Sequence, residues 1–283
     1  MQSVLIYVMM VFENSGNEAG KQKTFLNQLS KVRLLGSGHP ESWNLNSKHM
    51  NLILKPHKIK GIQYIELPKY YYQKVNEISL KSDYVILIPI AKTESIDFIK
   101  NIYSDMNIKF FCDADDTREN CDFRSESKYQ YNTLTQKTFD MFNIICNNTL
   151  EYKTYLKMDF DAYIDKKYVN SALKLMIDNE EKHLYYGVLT DNHNVYYMQG
   201  RFYGTTRRLL QDFCEIKDEV DFFYAEDVWF GNVTQIIRKK IREIGTGKDL
   251  IFMGVDETKV IHKKFKDKGV YLHLGRHLSD SEK

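Results

Sequence analysis

Apolar and polar positions are irregularly mixed over the first 80 residues and become regular from about Ser82 onward. Tyr84-Val-Ile-Leu-Ile-Pro-Ile90 is an unbroken apolar run of strand length, the pattern of a strand buried on both faces. Between Ile96 and Met106 the spacing predicts a helix, with Ile96, Ile99 and Tyr103 on one side. Ile108-Lys-Phe-Phe-Cys112 predicts a second apolar strand, closed by the acidic turn Asp113-Ala-Asp-Asp116. A helix is predicted over Leu134 to Ile145, and Tyr155-Leu-Lys-Met-Asp-Phe-Asp161 reads as a strand that runs into carboxylates. Strands and helices alternating in this order predict an α/β domain with a largely parallel sheet. Ligands of such sheets bind at the carboxyl ends of the strands, where Asp159 and Asp161 fall.

The upstream stretch has another texture. Ser3 to Phe12 is apolar and fits either the core of a signal sequence or a buried strand, although no Lys or Arg precedes it. Turn formers crowd Gly36 to Trp43, and short strands are predicted at Asn51–Leu54 and Gly61–Leu67. The chain therefore divides into an N-terminal extension, residues 1–80, and a main domain, residues 81–283.

Composition narrows the class. Lys+Arg at 40 against Asp+Glu at 38 leaves a formal charge of +2, which argues against a nucleic-acid partner with its usual basic excess. Hydrophobic residues at 43% and charged residues at 28% match a soluble globular chain, long enough to need no staple. No apolar stretch reaches the roughly 18–20 residues of a spanning helix. Cys112, Cys121, Cys146 and Cys214 form no Cys-x-x-Cys pair, and their spacing fits two disulfides or reduced core thiols equally well.

Three places can carry chemistry. Asp159 and Asp161 stand two apart, and at a strand end such carboxylates converge on a hard divalent cation or simply form a solvated turn. Glu226-Asp227 is flanked by Phe222, Phe223, Tyr224, Trp229 and Phe230. That setting suits a desolvated general base or the acidic first turn of a helix. Val270-Tyr-Leu-His-Leu-Gly275 places His273 in an apolar strand, as a core histidine or as the nitrogen ligand of a carboxylate site, with His262 as its competitor. No phosphate-cradling Gly-x-x-x-x-Gly-Lys loop, His-Glu-x-x-His or Gly-x-Ser-x-Gly elbow occurs.

In order and spacing these pieces resemble the family 31 glycosyltransferases, the β-1,3-galactosyltransferase and Fringe-like group. Tyr131-Asn-Thr-Leu-Thr-Gln-Lys-Thr138 is similar to the family's Tyr-x-Asn-Leu-Thr-x-Lys-Thr block, with Thr133 in place of Asn. Lys157-Met-Asp-Phe-Asp161 resembles Lys-x-Asp-Asp-Asp, with Phe160 as the middle residue. Gly200-Arg-Phe-Tyr-Gly-Thr-Thr206 looks like Gly-x-Gly-Tyr-x-x-Ser, and Glu226-Asp-Val-Trp-Phe-Gly231 matches the Glu-Asp-Val block. Ile99-Lys-Asn-Ile-Tyr103 is similar to Ile-Arg-x-Thr-Trp without the basic pair before it. The resemblance covers about Ser82 to Leu274.

The resemblance implies a nucleotide-sugar-binding fold of the glycosyltransferase A type over residues 81–283, preceded by a short signal or anchor and a stem-like region. The implied reaction is inverting transfer of a sugar from a UDP-sugar to a hydroxyl of a glycan or glycoprotein, forming a β-1,3 linkage. It assigns Mn²⁺ or Mg²⁺ to Asp161, Asp159 and His273, and the catalytic base to Asp227. Asp159, Lys137 and Lys100 are expected on the donor side, Glu226 and Trp229 on the acceptor side. Relatives imply a Golgi membrane protein with a lumenal catalytic domain, and Asn147-Asn-Thr149 and Asn232-Val-Thr234 are glycosylation sequons. Phe160 and the missing basic pair keep a second reading open, a catalytically inactive carbohydrate- or nucleotide-binding descendant of the same fold.

Overall fold

The computed structural model describes residues 57–59, 62–67, 80–148, 150–192, 195–222, 225–245, 248–262, 266–267 and 270–271, all within the compact unit Ser47–Lys283. The apolar N-terminal run, the strand expected at Asn51–Leu54 and His273 lie outside the described residues. The elements run β1 (His57–Ile59), β2 (Ile62–Glu66), β3 (Tyr84–Pro89), α1 (Ile96–Ile102), β4 (Ile108–Cys112), β5 (Phe123–Arg124), α2 (Leu134–Cys146) and β6 (Thr154–Met158). They continue β7 (Ala162–Ile164), α3 (Lys166–Ile177), β8 (Leu184–Asn192), β9 (Val195–Thr206), α4 (Arg207–Ile216), α5 (Glu226–Glu243), β10 (Ile251–Gly254) and β11 (Val260–His262).

Among the described residues one sheet of nine strands forms, in the order β1-β2-β10-β8-β9-β6-β3-β4-β5. Strands β6, β3, β4 and β5 are mutually parallel, as are β2, β10 and β8. Strand β9 is antiparallel to both β8 and β6 and joins the two parallel blocks. The mixed, mostly parallel sheet flanked by helices is the α/β class expected. Strand β2 belongs to this sheet although it lies upstream of residue 81.

Period-two alternation builds a core on each face. Ile86 and Ile88 of β3 meet Ile96 and Ile99 of α1 and Leu173 of α3, while Val85 and Leu87 face Phe142 of α2, Phe213 of α4 and Phe230 of α5. At seven residues α1 is too short to persist alone. Burial of Ile96 and Ile99, roughly 1.5–3 kcal/mol each, holds it with the Ser95 cap, whose Oγ accepts from the Phe98 N–H. The helix stops at Ile102, short of the expected Met106, because the chain turns as Met106 N–H reaches the Tyr103 carbonyl. Asp105 is drawn instead to Lys166 at 2.6 Å.

Two further differences shape the site. Strand β6 ends at Met158, and Asp159-Phe160-Asp161 is a turn closed by the Ala162 N–H on the Asp159 carbonyl at 3.0 Å. The long β8–β9 hairpin carries tyrosines that are buried at one end and half-exposed at the other, so no clean alternation marks it. The cysteines form two disulfides, Cys112–Cys121 and Cys146–Cys214. The second ties the end of α2 to α4 across 68 residues of sequence, the first spans 9.

Loop closure grows with the length enclosed, so removal of the second bridge costs more. Cys146→Ala with Cys214→Ala is expected to lose about 4 kcal/mol of stability, and Cys112→Ala with Cys121→Ala about 2.5 kcal/mol. Urea unfolding of both double variants under non-reducing conditions checks this; an equal loss would contradict the ranking.

Candidate functional site

A cleft of about 700 Å³ opens at the carboxyl ends of β3, β4 and β6 and is walled by β9 and the start of α5. Pro89 and Ala91 come from the end of β3, Asp113 from the end of β4, and Asp159 and Asp161 from the turn after β6. Gln199, Gly200 and Arg201 line the opposite wall from β9. This is where a parallel sheet exposes unpaired strand ends and takes its ligands.

The Lys157 ammonium organises the cleft floor. Its side chain is 3% exposed, and its Nζ pairs with Asp159 Oδ1, with Glu226 Oε1 at 2.6 Å and with the Gly200 carbonyl at 2.8 Å. Burial pulls the amine's pKa down, but the carboxylates of Asp159 and Glu226 outweigh it and hold the amine above its ordinary value. Tyr203 donates its hydroxyl to the other oxygen of Glu226 at 2.9 Å. Burial is the main cause that pushes Glu226 up to about 7, opposed by Lys157. A side chain on Gly200 would begin 2.5 Å from Glu226 Oε1, so the carboxylate would have to shift from its place on Lys157.

Glu226 and Asp227 open α5 and divide by helical phase. Glu226 shares the buried stripe of Trp229, Phe230, Val233 and Ile237, whereas Asp227 is half-buried at the cleft. Asp227 accepts the Gly200 N–H on Oδ2 at 3.0 Å and the Val228 N–H on Oδ1 at 2.9 Å. The pair occupies the first turn of a helix, one of the two settings foreseen for it, and borders the cleft. Glu226, expected on the acceptor side, borders the cleft but is buried, and both its oxygens are engaged within the protein.

Asp159, Asp161 and His262 each offer a ligand atom, and these atoms lie within 4.8 Å of one another. The turn after β6 sets the carboxylates, and the antiparallel ladder β11–β7 brings His262 opposite Ala162, beside Asp161. Among the described residues His262, the competing candidate, is the histidine that stands beside these carboxylates; His273 lies outside them. Among the described residues another group with metal-ligating atoms, Cys112, Asp116 and Cys121, contains a disulfide.

Other expected residues fall elsewhere. Lys137 borders the cleft, but its Nζ is fixed by Asp113 at 2.7 Å and by the Ile90 carbonyl at 2.8 Å, so it braces the ends of β3 and β4. Lys100 is exposed on α1, its Nζ 5.7 Å from the Phe110 ring centroid, and does not join the cleft, because Ile96 and Ile99 take the helix's inner face. Trp229 is fully buried among Phe139, Phe213 and Phe222, a core residue rather than an acceptor wall. Arg201, Gln199, Tyr197 and Tyr131 also line the cleft; for the first three the available signal was the strand that carries Gly200.

The raised pKa of Glu226 has a fixed sign. Between its ordinary 4.5 and about 7 the folded protein holds a proton that the unfolded chain releases. Its stabilising contribution is therefore full below the lower value and is lost as pH rises through the upper one. Glu226→Gln is expected to flatten that fall, measured as the difference in urea midpoint between about pH 5 and about pH 8 for variant and wild type. An unchanged difference would contradict the assignment.

No family model and no curated protein matches the chain. Among solved structures, the crystal structure of A197 from STIV is similar at a TM-score of 0.34 and 13% identity, over 68% of this chain and 99% of that one. A likeness of that size carries no conclusion about fold or function, which leaves the residues of the cleft to speak for the chemistry.

Proposed function

We propose that the protein is a metal-dependent inverting glycosyltransferase with a glycosyltransferase A type fold. It moves a sugar from a UDP-sugar donor to a hydroxyl of a glycan or glycoprotein, forming a β-1,3 linkage. The observation that carries this reading is the meeting of Asp159, Asp161 and His262 in the same cleft as Asp227. Two carboxylates with one imidazole suit Mn²⁺, and Mg²⁺ less well, so the donor set fits the cation such a reaction uses. When bound, the cation supplies charge to offset the diphosphate that departs.

The chain's own groups do the remainder. Asp227 takes the proton of the attacking hydroxyl. The amides of Gly200 and Val228 each occupy one position on its carboxylate oxygens, which fixes its rotation and leaves further acceptor positions for that hydroxyl. Lys157 holds Asp159 on one side and Glu226 on the other, which keeps the cation ligands and the base in register. The two disulfides support an oxidising compartment, in keeping with a Golgi lumenal domain, and Asn147 of the first sequon is exposed at the end of α2. Among the described residues no helix is long and apolar enough to cross a membrane.

One observation favours a second reading. Phe160 turns into the core, its ring 6.2 Å from that of Phe98, so the acidic turn offers two carboxylates and no third. A catalytically inactive nucleotide- or carbohydrate-binding protein would keep the cleft and lose turnover.

A panel of nucleotide sugars with Mn²⁺, scored for released nucleoside diphosphate, separates the two readings: transfer supports the enzyme, and UDP binding without transfer the binder. Asp161→Asn is expected to weaken UDP binding in saturating Mn²⁺ at least about tenfold and to change it little without metal. Asp227→Asn should retain UDP and Mn²⁺ while turnover falls by roughly 10²-fold or more. Normal turnover in that variant would remove Asp227 as the base.

A further inference from the structure

The cleft is acidic: Glu94, Asp113, Asp159, Asp161, Glu226 and Asp227 all border it. Of the cationic side chains there, Lys157 is spent on Asp159 and Glu226, and Lys137 on Asp113. Arg201 is different. Its side chain is only 13% exposed, yet its Nε is buried with no hydrogen-bond partner. Among the described residues its ion pair is to Glu257 at 3.3 Å, and that carboxylate is 68% exposed, where pairing contributes little. A guanidinium carries five N–H donors and a charge that is never lost, so leaving it buried with a single long bond is costly unless something else completes it. Its position says what. Asp159 donates its backbone N–H to the Arg201 carbonyl at 3.0 Å, which sets the Arg201 backbone directly across from the first of the candidate cation ligands, and Arg201 lines the same cleft.

Resting on the glycosyltransferase reading, we infer that Arg201 is a donor-binding residue that anchors the diphosphate of the nucleotide. An anion can enter so acidic a cleft only where positive charges meet. The divalent cation at Asp159, Asp161 and His262 supplies one and Arg201 the other. A diphosphate has enough oxygens to be held by both, and planar guanidinium matches phosphate in a two-pronged geometry. Arg201 stands at the variable position of the Gly-x-Gly-Tyr-like segment, so its presence there is a property of this chain.

The test uses inorganic pyrophosphate and UDP as probes, each by calorimetry with Mn²⁺. Arg201→Met keeps the apolar stem and removes the guanidinium. It is expected to weaken both probes at least about tenfold, while uridine binding is unchanged. Without either probe, Mn²⁺ should bind the variant as tightly as wild type or more tightly, because a like charge beside its ligands is gone. A merely structural role would weaken Mn²⁺ as well, and that result overturns the inference. Arg201→Lys, which keeps the charge but loses the fork, should show a smaller loss of pyrophosphate affinity and stands in if the Met variant fails to fold. Wild-type affinity for pyrophosphate in whichever variant folds refutes the anchor. Wild-type protein that binds pyrophosphate but not UDP refutes the nucleotide reading and leaves the anion site standing; binding of neither refutes both.

Discussion

A lysine ammonium buried at the end of a central strand is the constraint on which the cleft depends. A cation taken out of water costs several kcal/mol unless it is fully paired, and Lys157 meets that demand with two carboxylates and one carbonyl. These partners come from three elements: the turn after β6, the strand β9 and the first residue of helix α5. The helix can reach because glycine stands at two points of close approach. A Cβ at Gly200 would meet Glu226, and a Cβ at Gly231 would lie 2.4 Å from that of Tyr197 on β9. The helix start, its acidic pair and the strand wall are thereby locked together before any ligand arrives.

The sheet supplies the rest of the geometry. Apolar side chains on both faces of β3, β4 and β6 fix these strands between two helical layers, and polar residues gather at their carboxyl ends. Antiparallel β9 runs beside β6 and brings Gln199, Gly200 and Arg201 to the same edge. Carboxylates gather there at high density, and the arrangement is stable because lysines neutralise those facing inward. Asp161 and Asp227 border the cleft and are only half-buried.

Much of this was legible from the residues, and the failures have physical causes. The apolar runs at Tyr84–Ile90 and Ile108–Cys112 marked buried strands because burial on both faces admits few polar residues. Asp159 and Asp161 were found because they follow such a run, although a turn and not strand alternation makes them converge. Trp229 was expected on the acceptor side from the family resemblance, although its spacing from Phe230, Val233 and Ile237 puts it on the core stripe. The same stripe separates Glu226 from Asp227, since Glu226 precedes Trp229 by three residues and Phe230 by four. Arg201 was hidden, and His262 could be named only as a competitor of His273, for another reason. Each reaches the cleft through a long-range strand pairing, β11 with β7 and β9 with β6, that no local pattern announces.

The central claim is that Asp159, Asp161 and His262 form one cation site serving a diphosphate. The direct measurement is an anomalous difference map from a crystal soaked in Mn²⁺ and UDP, collected at the manganese edge. The account predicts a single strong peak at coordination distance from Asp161 and from a ring nitrogen of His262, with the nucleotide's phosphate oxygens on its open side. A map with no peak among these three residues, or with manganese bound only elsewhere in the cleft, would contradict it.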